Sequence, residues 1–289
     1  MDIKKIVLWL VVIMVASLSI AAVVAVVSGY TPGNLMPEST AGRFATPVEE
    51  ERAFPAGDIK EIQVKAISSD INIIAVEGSE IKAHLYGKTV SGVTGPVVEL
   101  IAETRGSKLA IEVKHRPNIS LFGNSSVTLD VFVPGSYNED MRLETVSGDI
   151  AADNLNLNRL AAKSVSGAIE ISSVDTAETS VKTTSGRVRL DGFEGNLDFD
   201  SVSGGLDVQY NTFDSDIRGK TVSGSLEIIL PADAAFTLEA KTVSGDINCG
   251  FPVTVTGSLS KRGLSGTVSS GDNSIALETV SGNARIYSQ

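Results

Sequence analysis

Four residues, Thr-Val-Ser-Gly, recur down the second half of this 289-residue chain. The phrase stands at 145–148, 221–224, 242–245 and 279–282. Variants are Ser164-Val165-Ser166-Gly167, Thr183-Thr184-Ser185-Gly186 and Ser201-Val202-Ser203-Gly204. The phrases open at 145, 164, 183, 201, 221, 242 and 279, so the gaps are 19, 19, 18, 20, 21 and 37 residues, the last close to two steps. A fixed period of this size marks an architecture in which each unit covers the next.

The residues around each phrase say what the unit is. Four and two positions before the opening Thr or Ser stand mostly apolar residues, as in Met141/Leu143, Leu160/Ala162, Leu197/Phe199 and Leu238/Ala240. The residue just before it is always charged: Glu144, Lys163, Lys182, Asp200, Lys220, Lys241 or Glu278. That alternation is a strand with one buried face. Five and seven positions after the opening, Ile169/Ile171, Val188/Leu190, Leu206/Val208, Leu226/Ile228 and Ile247/Cys249 alternate again, but in the opposite phase. A one-residue slip means the chain turns a corner, with the opening Thr and the following Val both expected to face inward and the Gly to supply backbone freedom. Two-residue hairpin turns such as Asn-Gly do not recur at these intervals, which disfavours a meander.

The expected fold is therefore all-β, a single-stranded β-solenoid (β-helix) of about 19-residue coils. Parallel strands on successive coils stack about 4.8 Å apart. Eight coils over 141–289 predict a rod of roughly 35–40 Å at that spacing. The corner columns are Thr145, Ser147, Gly148, Ser166, Gly167, Ser185, Gly186, Ser203, Gly204, Ser223, Gly224, Ser244, Gly245, Ser281 and Gly282, with aligned hydroxyls placed to hydrogen-bond from coil to coil. On this reading an Asp at Val222 or Ile247 buries an unpaired charge.

Residues 48–140 alternate less regularly, with strand-like runs such as Lys108–Val113 and Ser126–Val133 punctuated by glycines. Ile67–Ile71 and Thr89–Val93 read as worn copies of the phrase, and this part is expected to cap the regular solenoid of 141–289. The N-terminus differs. After Lys4 and Lys5, Ile6 to Val27 is an unbroken run of apolar or small residues, interrupted only by Ser17 and Ser19. At 1.5 Å per residue such a run spans roughly 33 Å, enough for a hydrocarbon core of about 30 Å. The segment 1–28 reads as a transmembrane anchor, with a cleaved signal peptide as the alternative. The lysines favour a cytoplasmic N-terminus and an extracytoplasmic remainder. Residues 29–47, with Pro32, Pro37 and Pro47, read as a flexible linker.

The repeated Thr-Val-Ser-Gly-Asp-Ile at 145–150 and 242–247, the Leu-Ala-Ile-Glu-Val run at 109–113 and Leu-Asp-Val-Phe-Val-Pro at 129–134 resemble a family of bacterial and archaeal envelope proteins known as putative adhesins, a β-strand-repeat domain of unknown function. The likeness covers about 48–289. It implies a right-handed solenoid behind a membrane anchor or signal peptide, and it brings no catalytic residue.

No reactive constellation stands out in the residues themselves. The net charge of −11 disfavours nucleic acid as a partner. Cys249 is the only cysteine, so neither an internal disulfide nor a thiolate metal cluster can form within one chain. His84 and His115 sit in separate strand-like segments, and no metal or other cofactor is expected. Asp149, Glu170, Asp207, Glu227 and Asp246 form an outward acidic series, with Asp207 beside Glu227 on adjacent coils. Arg187, Arg189 and Arg285 interrupt it, as in a solvated face with modest ion pairs. Phe193, Tyr210 and Phe213 would have to face outward to line a sugar groove. Asn118-Ile119-Ser120 and Asn124-Ser125-Ser126 are glycosylation sequons.

The expected function is a non-enzymatic, membrane-anchored extracytoplasmic solenoid in surface interaction or envelope structure, held in the membrane through residues 6–27 and binding a surface protein or glycan. An envelope-stress or signalling accessory that senses an extracellular ligand is the alternative, and a carbohydrate-active solenoid enzyme the third. Because the chain ends on a repeat, its last coil is expected to lie open and to self-associate.

Overall fold

A computed structural model describes residues 44–91, 98–115, 126–255 and 262–289. The expected membrane segment and most of the linker lie outside the described residues, as do the asparagines of both sequons, Asn118 and Asn124. Every regular element among the described residues is a strand. No helix among them is long and apolar enough to cross a membrane.

The N-terminal part contributes β1 (Phe44–Pro55), β2 (Glu61–Lys65), β3 (Asp70–Val76), β4 (Glu80–Ser91), β5 (Val98–Arg105), β6 (Lys108–His115) and β7 (Ser126–Pro134). The middle contributes β8 (Asp140–Glu144), β9 (Ile150–Ser164), β10 (Ile169–Thr183), β11 (Val188–Ser201), β12 (Leu206–Tyr210), β13 (Ile217–Thr221) and β14 (Leu226–Leu230). The chain ends with β15 (Phe236–Ser244), β16 (Ile247–Cys249), β17 (Thr254–Val255), β18 (Gly263–Val268), β19 (Asn273–Ser281) and β20 (Ala284–Ser288).

These strands form one 20-stranded sheet wound into two ladders. The ladder of strands that precede a corner runs β5-β6-β2-β8, then the second halves of β9, β10 and β11, then β13-β19-β15-β18-β17. The ladder of strands that follow a corner runs β1-β4-β7-β3, the first halves of β9, β10 and β11, then β12-β14-β20-β16. Pairing is parallel through the middle and antiparallel only at the ends. Alternate side chains of both ladders fill one apolar core, in which Ile62, Ile71, Leu129, Ile150, Val188, Leu226 and Ile286 have no exposed surface.

β9, β10 and β11 each bend midway, which gives the coil a second corner. The bends fall at Asn154 (φ 56°), Ser173 (φ 53°) and Gly192 (φ 60°), one above another in the register. Left-handed backbone is ordinary for Gly and tolerated by Asn, while at Ser173 it is strained. The sequence gives little sign of this corner, because three different residue types occupy it.

The order of the coils departs from the order of the chain at both ends. The β2–β3 coil lies inside the β6–β7 coil. At the other end β19–β20 is inserted between β13–β14 and β15–β16. The last coil in sequence is therefore covered on both sides, and the expected open C-terminal coil is not found. The stretch 141–289 holds seven coils, not eight, because the long gap before 279 accommodates the antiparallel β17–β18 hairpin. Thr89–Ser91 is also not a corner; it ends β4, paired with Phe44–Thr46 of β1. β1 thus begins inside the segment expected to be linker.

Near the inserted coil the core turns aromatic. Phe193, Tyr210, Phe213, Phe236 and Phe251 contact edge to face in sequence, with centroids 5.4, 5.3, 6.1 and 5.3 Å apart. The Tyr210 hydroxyl donates to Gly195 O at 3.0 Å, and burial raises its pKa. These rings face inward, so the outward aromatic groove imagined for sugars has no basis in Phe193, Tyr210 or Phe213.

Candidate functional site

The repeated phrase forms a column of corners along one side of the stack. The opening Thr or Ser is buried in every coil, from Thr145 through Ser164, Thr183, Ser201, Thr221 and Thr242 to Thr279. Its hydroxyl accepts the N–H of the Gly three residues on, as in Gly186 N to Thr183 Oγ1 (2.9 Å), Gly204 N to Ser201 Oγ (2.7 Å) and Gly224 N to Thr221 Oγ1 (3.0 Å). The same hydroxyl can donate to the Gly carbonyl of the neighbouring coil: Thr221 to Gly204 O at 3.3 Å, Thr279 to Gly224 O at 3.3 Å and Thr242 to Gly282 O at 3.1 Å. Ser164 Oγ has no partner.

The Val at offset one does not face inward as expected. Val146, Val165, Val202, Val222 and Val280 are only half-buried, and Val243 is 55 % exposed. The inward residues are Thr and Gly, so the phase slips across Val-Ser, and Asp at Val222 would not bury a charge deeply. Ile247 is likewise only partly buried.

The Gly is required by close approach rather than by backbone freedom. A Cβ on Gly167 would lie 1.8 Å from Gly148 O; on Gly186, 2.0 Å from Gly167 O; on Gly224, 2.0 Å from Gly204 O; on Gly282, 2.0 Å from Gly224 O; and on Gly245, 2.0 Å from Gly282 O. Of the corner glycines only Gly245 has positive φ, 154°. The Ser between Val and Gly links coils twice. Its N–H donates to the neighbouring coil at 2.9 Å in the Ser166–Val146, Ser185–Val165 and Ser223–Val202 pairs, and at 2.7 Å from Ser281 to Val222. The hydroxyls of Ser147, Ser166, Ser185 and Ser203 reach carbonyls of the preceding coil at 3.2–3.3 Å, not one another.

The outer faces carry charge columns. The residues just before the corners lie in stack order Lys65, Glu144, Lys163, Lys182, Asp200, Lys220, Glu278, Lys241. Ion pairs close at Lys65–Glu144 (3.3 Å), Lys182–Asp200 (3.2 Å) and Lys220–Glu278 (3.2 Å). On the other ladder the order is Glu170, Arg189, Asp207, Glu227, Arg285, Asn248. The neighbouring carboxylates of Asp207 and Glu227 approach Arg187 at 3.9 Å and Arg285 at 3.8 Å, on largely open surface where such pairs are worth at most about 1 kcal/mol. Asp149 Oδ1 accepts Ala168 N at 2.7 Å, and Asp246 N donates to Asn283 Oδ1 at 3.0 Å, so both acidic residues sit at turns between coils.

The two histidines lie on different ladders. His84 Nε2 is 2.8 Å from Glu49 Oε1 and its ring stacks on Tyr86, with centroids 5.0 Å apart. His115 Nε2 is 3.4 Å from Ser68 Oγ, and burial lowers its pKa. No group of three or more His, Cys, Asp or Glu among the described residues is placed to hold a metal ion. An open hollow of about 480 Å³ lies by the second corner, with Glu77, Asn154, Asn156 and Asp175 on its walls.

A two-ladder, all-β solenoid stitched by Thr, Ser and Gly is the class these features define. The chain belongs to the Toastrack DUF4097 family, whose model matches twice, over residues 59–194 and 138–287. Similar solved structures include a putative cell adhesion protein from Clostridium sporogenes (15 % identity, 84 % of this chain, 100 % of that one, TM-score 0.37). A putative adhesin from Bacteroides fragilis is another (11 %, 84 % and 97 %, TM-score 0.41). A putative lipid binding protein from Parabacteroides distasonis is a third (14 %, 82 % and 96 %, TM-score 0.37). No curated protein matches the chain.

Proposed function

We propose that the protein is a non-enzymatic, membrane-anchored extracytoplasmic rod with an adhesin-like or envelope-structural role. The observation that most supports this is the use of its one repeated polar motif: Thr hydroxyls, Ser hydroxyls and Gly surfaces are all engaged in joining coils. The charge columns outside are largely matched across strands, which leaves a stiff support with a long polar surface. The run Ile6–Val27 is long enough to span a bilayer, and Lys4 and Lys5 favour a cytoplasmic N-terminus. The partner is a surface protein or glycan.

Full-length protein in native membranes tests the anchor. It should resist alkaline carbonate extraction and lose its C-terminal part to protease added from outside. Release into the soluble fraction would overturn the anchor. Purified full-length protein should retain a defined envelope glycan or surface protein without altering it. Glycan cleavage that disappears in the Asp207→Asn, Glu227→Gln double variant would overturn the non-enzymatic reading.

A further inference from the structure

The two ladders end differently at the far end of the stack. β15 is covered by β18, whereas β16 pairs only with β20 among the described residues. Ala284 N donates to Asp246 O at 3.1 Å, and Gly250 N donates to Ile286 O at 2.8 Å, so Asp246 and Gly250 face β20. In a parallel ladder alternate residues face the same neighbour, so Asn248 also faces β20. Ile247 and Cys249 therefore direct their N–H and C=O groups away from β20, where no described strand pairs with them. The two large apolar side chains exposed among the described residues, Val243 (55 %) and Tyr287 (39 %), both border this edge. Val243 stands on the corner just before β16. Tyr287 lies beside Gly250, where a Cβ would be 3.7 Å from the Tyr287 Cα.

We infer that this edge binds the same edge of a second copy of the chain, antiparallel about a two-fold axis at Asn248. The edge is self-complementary in that register. Ile247 of each copy faces Cys249 of the other as a hydrogen-bonded pair, so one axis generates four backbone hydrogen bonds. Asn248 faces Asn248 on the outer surface, so two neutral side chains meet at the axis while Arg285 flanks each on its own chain. Asp246 faces Gly250, which leaves the carboxylate room and brings no second carboxylate to it. The partly covered Ile247 and Cys249, last in their inward columns, lose their remaining exposure, and the second backbone shelters Tyr287. A foreign strand would need the same spacing of donors and acceptors and a neutral centre, which a copy has by symmetry. This pairing does not depend on the anchored-rod reading.

The test is disulfide trapping with full-length protein in mild detergent. Asn248 is exposed, and in the inferred pair residues 248 of the two copies are a non-hydrogen-bonded pair about 4.5 Å apart at Cα, within disulfide range. Asn248→Cys in a Cys249→Ser background is expected to cross-link into dimers under mild oxidation at least tenfold faster than Asn211→Cys in the same background. Asn211 is exposed on the loop after β12 and serves as the collision control. Replacing Asn248 by Lys in an otherwise unchanged chain sets two like charges at the axis and is expected to lower the dimer fraction in a sedimentation series. Equal cross-linking rates for the two cysteine variants, or an unchanged dimer fraction for Asn248→Lys, would overturn the inference.

Discussion

Ser281 gives its backbone N–H to the carbonyl of Val222 at 2.7 Å, and the next residue, Gly282, gives its own to Ser244 at 3.1 Å. One corner thus bonds forward and backward to two corners that precede it in the chain. The C-terminal coil should behave as an interior one. Hydrogen exchange should find the Ile286 amide protected like that of Ile228 in mid-stack, and the Ile247 and Cys249 amides exchanging early in dilute, monomeric protein and slowing as copies pair. Fast exchange across β20 would mean that the coil is not held between its neighbours.

The corner glycines should tolerate no side chain. Gly167→Ala brings a Cβ to 1.8 Å from a backbone carbonyl, and overpacking of this kind costs about 1–3 kcal/mol or more. Gly57, with nothing within 4 Å of the added carbon, should accept Ala within about 0.5 kcal/mol. Thermal midpoints of the two variants give the comparison; similar losses would remove the steric account.

Charge insertion separates the true inward columns from the corner valines. Leu226→Asp, at a site with no exposure, should cost at least about 4 kcal/mol or prevent folding. Val243→Asp, at 55 % exposure, should stay within about 0.5 kcal/mol of wild type in denaturant melts. Collapse of the Val243 variant would restore the valine to the core.

The hydroxyl column makes a sharper distinction between residues of the same class. Thr221→Val leaves the Gly224 N–H without its acceptor and removes a donor to Gly204 O, a loss of about 1–3 kcal/mol. Ser164→Ala removes an oxygen that has no partner and should change stability by less than about 0.5 kcal/mol. Urea midpoints measure both, and a costly Ser164→Ala would show that its hydroxyl is engaged.

His115 should give a small dependence of stability on pH. Burial lowers its folded pKa below the ordinary 6.5, so below that value the unfolded chain binds the proton more readily. The contribution is fully present above about pH 6.5 and is lost as pH falls from there toward the folded value. His115→Gln should flatten this slope in melts between pH 5 and 7, in steps of about half a unit. An unchanged slope would assign the dependence to carboxylates.

Much of the coil was legible in the sequence because period-2 burial leaves a direct trace. The Leu206/Val208 and Leu226/Ile228 pairs lie inward as their alternation requires. The corner was legible as a place but not in its geometry: Thr turns inward and Val outward because each Gly packs against a carbonyl of the next coil, a contact that only stacking creates. Coil order was not legible. Identical phrases carry no mark of which will be neighbours, and the insertion of β19–β20 depends on the hairpin that occupies the far edge of β15. The direction of the aromatic residues was not legible for a similar reason. Phe213 lies between strands, where no alternation fixes its direction, and it packs between Tyr210 and Phe236.

The chain enters the described fold through β1, the outermost strand of one ladder, and β16 is the last strand of that same ladder. At about 4.8 Å per strand the two edges stand roughly 50 Å apart. For a protein tethered by its N-terminal segment, this sets a reach: the unpaired edge becomes the tip, held away from the surface by a stiff arm. Two such tips meeting head to head would bridge opposed surfaces with a rigid span set by the number of coils, so adding or deleting one repeat would change that span by two strand spacings, one in each copy.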